Sequence, residues 1–317
     1  MAILERGELE LYYEVRGTGP RLLFFNGSGS TIETSGLLID ILARDFTVAV
    51  ADQRGLGRTG LARNVTPNMA DYAADGLAML DALGWPRALV VGLSFGGMVA
   101  QEFAVTYPER VEKLVLLCTS AGGDGGSSYP LHTLNDMSSD ERAKVRLTIL
   151  DTRFTPEWLA EHPENQFLAD MAAASGATTK SLEVMTGEAY QLEARRQHDV
   201  WDRLENISAP TFIAAGEFDG TAPMANSEAL ASRIVASTLH RYLGGHAFLA
   251  QDGRALPESY RQIGESAQMS EGAVKVAAHR FRRRYRELLR EEVGRTVADP
   301  DEIDAEIEEL LRSLSLT

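Results

Sequence analysis

The sequence predicts an α/β fold, a mainly parallel sheet flanked by helices, interrupted by a helical insertion and followed by a helical C-terminal extension. Three observations carry that prediction. Short apolar runs at residues 22–25, 46–51, 88–91 and 114–117 alternate with longer helical patterns at about 32–43, 68–83 and 95–107, the rhythm of crossover units whose helices cover both faces of a parallel sheet. The rhythm stops at a glycine- and serine-rich stretch, 122–128, and a helical pattern without a convincing strand runs from Ser138 to about Arg203. Two more apolar runs, 211–215 and 238–243, return to the sheet before the character changes again after Gln251.

Taken in order, residues 9–15 alternate like a strand, and Gly17-Thr18-Gly19-Pro20 is a turn leading into the buried run at 22–25. The run at 113–118 ends in Cys118, the chain's one cysteine. It cannot form an internal disulfide, and a buried strand thiol is the better reading than a reactive one. The insertion is read as a lid over residues 124–206, because a helical block between two strands lies above the strand ends, where it shields a pocket. A second structural layer with no gating role is the alternative. The core then comprises residues 1–123 and 207–250, and the extension residues 251–317.

Residues 90–97 read VVGLSFGG: a β-branched run breaks at Gly92, presents Ser94 and passes at once into a helical pattern. This is the pattern of a nucleophile elbow. A serine hydroxyl is a poor nucleophile until the backbone pushes it out of the sheet, toward a base and toward amides that bind an oxyanion. Gly92 and Gly96 leave room for the strained turn, and the backbone amide of Phe95 is the first oxyanion donor. Downstream, one apolar run ends in Gly216-Glu217-Phe218-Asp219 and the next in Gly244-Gly245-His246. Each candidate sits just past a strand, where open α/β sheets place their ligands. In this reading His246 takes the proton of Ser94, while Asp219 holds the imidazole tautomer and stabilises its cation. For the acid, Glu217 and Asp124 remain open alternatives.

Serine, acid and histidine in that chain order, together with the loop Asp52-Gln53-Arg54-Gly55-Leu56-Gly57-Arg58, resemble the α/β-hydrolase family over roughly residues 1–250, and especially its ester and enol-lactone hydrolases. The resemblance implies a Ser-His-Asp serine hydrolase that cleaves a carboxylic ester or lactone through an acyl-enzyme. It also implies a second oxyanion donor, the backbone amide of Ser28, in the loop after the run at 22–25. That loop reads Asn26-Gly27-Ser28-Gly29, where many relatives carry His-Gly; backbone donation survives the change. Such chemistry needs no cofactor and no metal, and no paired histidine or cysteine spacing suggests a metal site. The glycines at 52–58 lack the spacing of a dinucleotide fingerprint and no Walker lysine accompanies them, so a structural loop beside the pocket is the reading there. Acyl transfer and perhydrolysis use the same triad and stay open.

At 317 residues, with 44% hydrophobic residues, the chain can bury a full core. A net charge of -15 argues against broad binding to nucleic acid or anionic membrane. The first 15 residues lack the continuous apolar core of a signal peptide, and no run is long enough to span a bilayer. A cytoplasmic protein acting on a small molecule is expected, of unspecified oligomeric state. The extension adds a competing idea. Residues 257–293 resemble the last two helices of region 4 in extracytoplasmic-function sigma factors, with Ser270 as a helix cap and Lys275, His279, Arg280, Arg282, Arg283, Arg284 and Arg286 placed for phosphates or base edges. The match lacks the upstream helices of that region, and seven acids between Asp299 and Glu309, in an acidic helix begun by Asp299 and Pro300, oppose DNA nearby. Packing of an apolar helix face on the rest of the chain is therefore preferred to DNA binding. The alternative function is a small-molecule sensor or transcriptional regulator.

Overall fold

A computed structural model describes residues 2–62, 65–174 and 180–251. Strands β1 (Ala2–Arg6) and β2 (Leu9–Arg16) form an antiparallel hairpin turning at Gly7, whose φ of 65° suits glycine. The remaining strands are β3 (Arg21–Phe25), β4 (Thr47–Ala51), β5 (Ala88–Leu93), β6 (Val111–Leu117), β7 (Thr211–Gly216) and β8 (Ser237–Tyr242). They form one eight-stranded sheet in the order β1-β2-β4-β3-β5-β6-β7-β8. β1/β2 and β2/β4 pair antiparallel, and β4, β3, β5, β6 and β7 pair in parallel. The predicted α/β architecture is thus the one observed.

Helices connect the parallel strands. They are α1 (Gly36–Leu42), α2 (Met69–Ala82) and α3 (Phe95–Thr106), then α4 (Ser139–Leu150), α5 (Pro156–Glu161), α6 (Gln166–Ala174) and α7 (Leu182–Arg196), and finally α8 (Met224–Arg233). Helix α2 starts where its sequence says it should: the Asn68 side chain accepts from the Asp71 N–H at 3.2 Å and Asp71 accepts from the Asn68 N–H at 2.8 Å. Helix α1 is shorter than the pattern at 32–43, because Thr31 and Thr34 exchange bonds between their hydroxyls and backbone amides and so compete with a helical turn. Strand β1 and helix α8 add to the elements the sequence predicts. Cys118 is buried as expected, but it lies just past β6 with φ 41°.

The chain divides into two compact units. The first comprises Met1–His132, Ser181–Ala214 and Ala222–Leu239. Its core is organised by α3, buried along Phe95 to Ala104, against β3, β5, β6 and α2. Phe103 packs on Phe25 with ring centroids 5.8 Å apart, and a Cβ on Gly76 of α2 would lie 2.5 Å from the Phe25 ring. Beneath α3, Arg203 grips Glu102 with two hydrogen bonds of 2.8 and 2.6 Å. Burial pushes Glu102 up, but the hydrogen bonds and charge of Arg203 leave it below its ordinary value. Burial pushes the neighbouring His198 down to about 4, against the opposing pull of the Glu102 carboxylate.

The second unit comprises Thr133–Lys180, Ala215–Thr221 and the segment from His240 onward, of which residues 240–251 are described. It has its own small core of Phe154, Leu159, Leu168 and Ala169, flanked by Leu147, Leu150, Trp158, Ala247 and Ala250. The helical stretch after β6 therefore contributes α4, α5 and α6 to this unit and α7 to the first. Among the described residues no helix is long and apolar enough to cross a membrane. The sigma-like segment at 257–293 and the acidic helix predicted at 300–314 lie outside the described residues.

Candidate active site

The turn between β5 and α3 is strained at one residue. Ser94 has φ 53° and ψ -113°, a conformation a non-glycine residue holds only where its surroundings over-determine it. Those surroundings are specific. The Ser94 N–H donates to the Leu117 carbonyl at 2.8 Å, and the Ser94 carbonyl accepts from the Gly97 N–H at 2.9 Å. A Cβ on Gly92 would lie 2.3 Å from the Gly96 carbonyl oxygen, and one on Gly96 would lie 2.0 Å from that of Phe25. Backbone contacts on either side of the serine thus leave no room for a side chain at position 92 or 96.

The loop after β3 lies alongside. A Cβ on Gly27 would sit 3.9 Å from the Ser94 Cβ, so residues 26–29 border the serine directly. Neither the Ser28 N–H nor the Phe95 N–H donates to a protein acceptor among the described residues, and the buried Ser28 hydroxyl also has no partner there. Two unused amides beside one strained serine are what an oxyanion site requires.

In the second unit Asp219 and His246 come together, with Asp219 Oδ2 2.7 Å from His246 Nδ1. The other carboxylate oxygen, Oδ1, accepts from the Thr221 N–H at 2.8 Å. A carboxylate only accepts, so Nδ1 carries the proton and Nε2 is left as the basic nitrogen. The two loops are braced against each other and against the end of α4. The Phe218 N–H donates to the Gly244 carbonyl (2.9 Å), the Thr152 N–H to the Phe218 carbonyl (2.9 Å) and the His246 N–H to the Leu150 carbonyl (2.6 Å). A Cβ on Gly216 would lie 2.2 Å from the carbonyl oxygens of Gly244 and Gly245.

A buried group that the sequence did not single out completes the brace. The Asp151 carboxylate accepts from Arg153 Nε and Nη2 (2.9 and 2.6 Å) and from Gln251 Nε2 (2.8 Å), while Gln251 Oε1 accepts from the Gly245 N–H at 2.6 Å. Gln251 is 100 positions from Asp151, so no local pattern announces the pair. Of the alternative acids, Glu217 is exposed and lies 3.7 Å from Arg241, and Asp124 is exposed in a short 3₁₀ turn. The loop at 52–58 is structural in its bonding: Asp52 accepts from the Ile32 and Arg58 amides (2.7 and 2.9 Å), and Arg54 pairs with buried Asp75 at 2.6 Å.

A model of the α/β-hydrolase fold family matches residues 20–252. The chain belongs to the α/β-hydrolase fold family. This α/β hydrolase is 32% identical over 246 residues to the poly(3-hydroxyalkanoate) depolymerase of Ectopseudomonas oleovorans, covering 74% of this chain and 81% of the relative. It is 30% identical over 250 residues to RutD of Azorhizobium caulinodans, named as a carbamate hydrolase, covering 77% and 91% of the two chains. Among solved structures, the enol-lactonase of Burkholderia xenovorans LB400 superposes with a TM-score of 0.62 at 20% identity, over 88% of this chain and 99% of that one. That last likeness concerns the fold of this α/β hydrolase.

Proposed function

We propose that this chain is a serine hydrolase that cleaves a small-molecule carboxylic ester or lactone through an acyl-enzyme, with Ser94 as nucleophile, His246 as base and Asp219 as the acid that orients it. The observation that carries the reading is the strained Ser94 beside the two unused amides of Phe95 and Ser28. In this mechanism the Ser94 oxygen attacks the acyl carbonyl while His246 Nε2 takes its proton, and the two amides receive the oxyanion. The alkoxide leaves with that proton. Water, deprotonated by the same nitrogen, then attacks the acyl-serine and releases the acid. The Asp219–His246 contact supports the role of Nε2, and the depolymerase and enol-lactonase names among the relatives support an ester or lactone as substrate. We further read residues 124–206 as the lid of this site and the protein as cytoplasmic.

A carbamate is the one competing substrate with specific support, since the RutD relative is named for it. The regulator alternative depends on the segment at 257–293, outside the described residues, and no observation favours it. The test is fluorophosphonate labelling of the full chain, followed by turnover on a panel of aryl esters, lactones and carbamates. Labelling lost in Ser94→Ala, with ester or lactone turnover at least tenfold faster than carbamate turnover, is expected. Labelling that persists in Ser94→Ala would remove the nucleophile assignment, and preferred carbamate turnover would change the substrate class.

A further inference from the structure

The loop that presents the Ser28 amide is stapled at both ends by two glutamines, one of them from α7. The Gly29 N–H donates to Gln191 Oε1 at 2.8 Å, Gln191 Nε2 donates to Gln53 Oε1, and Gln53 Nε2 donates to the Asn26 carbonyl at 3.1 Å. Gln191 is 1% exposed and Gln53 7%. The chain begins on a backbone donor and ends on a backbone acceptor, so a single orientation of both carboxamides satisfies all three bonds. Asn26 and Gly29, the two ends of the Asn26-Gly27-Ser28-Gly29 loop, are thereby tied to one rigid connection.

Helix α7 reaches the loop because of a second contact one turn earlier. A Cβ on Gly187 would lie 2.4 Å from the Gly55 carbonyl oxygen, and one on Gly55 would lie 2.6 Å from the Gly187 Cα. The two backbones touch, and residues four apart on a helix share a face, so Gly187 seats the helix and Gln191 engages the loop. Among the described residues the loop has little else to hold its aim. Gly27 and Gly29 flank Ser28, Gly29 sits at φ 69°, and the local bonds are the Ser30 N–H to the Gly27 carbonyl at 3.3 Å and Asn26 Nδ2 to the Thr31 carbonyl at 3.2 Å.

We propose that Gln191 is a positioning residue of the oxyanion hole: its carboxamide, delivered by α7, sets the direction of the Ser28 N–H and makes acyl transfer depend on the seating of that helix. This rests on the serine hydrolase reading above. An oxyanion donor works through its aim at the developing charge, and misplacement of a positioned group by about 1 Å costs on the order of a hundredfold in rate. A glutamine buried for stability alone makes a different prediction. Its loss lowers the melting temperature and leaves the turnover of the folded protein unchanged.

The experiment uses the full chain with Gln191→Met, Gln191→Glu and Gly187→Ala, read by p-nitrophenyl ester kinetics, fluorophosphonate labelling rate and amide hydrogen exchange of the peptide spanning residues 26–30. In Gln191→Met, kcat and labelling rate should fall by about ten- to a hundredfold, with KM within about threefold of the parent. Exchange at 26–30 should quicken. Gln191→Glu keeps an acceptor for the Gly29 N–H but cannot donate to Gln53 Oε1 and buries a charge, so it should also fall below the parent. Gly187→Ala leaves Gln191 intact but pushes α7 off Gly55, and should lower kcat with KM steady, which keeps the proposal testable should the methionine variant not fold. The proposal is overturned by an unchanged kcat in Gln191→Met or Gly187→Ala, or by a rise in KM alone. A parent that neither labels nor turns over esters defeats the hydrolase reading, whereas a labelled, active parent with unchanged exchange in Gln191→Met defeats the positioning role alone.

Discussion

Replacing Asp219 by asparagine interrogates the imidazole through a single atom. The Thr221 N–H points at Oδ1 and His246 Nδ1 at Oδ2. In the variant the Thr221 amide still demands an oxygen, so the new NH2 group must face His246. That group only donates; Nδ1 must then accept, and the imidazole proton moves to Nε2, the nitrogen that has to take the serine proton. The substitution keeps shape and burial, so the fold should persist with a melting temperature within a few degrees of the parent. The same exchange in a serine protease triad lowers kcat by about 10⁴, equivalent to about 5.5 kcal/mol on the barrier. We expect a fall of that order in aryl ester turnover, with KM little altered, measured by steady-state kinetics on protein checked by circular dichroism. Glu217→Gln and Asp124→Asn should retain most activity. Turnover in Asp219→Asn within about tenfold of the parent, or a larger loss at Asp124, would refute the tautomer argument.

Two other outcomes follow from strain and burial. Ser94→Gly and Ser94→Ala should both lose ester turnover, but glycine relieves a backbone conformation that costs on the order of 1–3 kcal/mol and should melt a few degrees above alanine, by calorimetry; equal melting would mean that φ 53° is not strained. His198, held near 4 by burial against an ordinary 6.5, refuses in the folded state a proton that the unfolded chain accepts. Stability should therefore be fully present above pH 6.5 and decline as pH falls toward 4, by up to about 3 kcal/mol, with the Arg203-stabilised Glu102 adding its own loss at lower pH. His198→Gln should flatten the melting temperature between pH 6.5 and 4, and an unchanged slope would assign the acid sensitivity elsewhere.

What was legible in the sequence was what depends on near neighbours. The strands β3 to β7 announce themselves as apolar runs because both faces of a parallel sheet are covered, and α2 announces its start because Asn68 and Asp71 cap it reciprocally. Ser94, Asp219 and His246 stood out because each follows a strand beside glycines that the backbone needs. Their catalytic roles rest on the proposal above. Strand β1 is silent in the sequence, since an edge strand of half-buried, charge-interleaved residues has no apolar run to display. The bracing side chains were illegible for another reason: Gln191 finds its partners 138 and 162 positions away, and Gln251 its partner 100 away. A carboxamide that is satisfied only in three dimensions leaves no periodic mark.

The touching backbones of Gly55 and Gly187 also set terms for recombining this protein with its relatives. Helix α7 lies in the helical stretch between β6 and β7, and a graft that brings any side chain to position 187 cannot dock against position 55. One that brings an apolar residue to position 191 would dock and leave the Gly29 amide without its acceptor. Chimeras should therefore sort by a two-position register, glycine followed four residues later by glutamine, before any feature of the exchanged pocket surface has a chance to act.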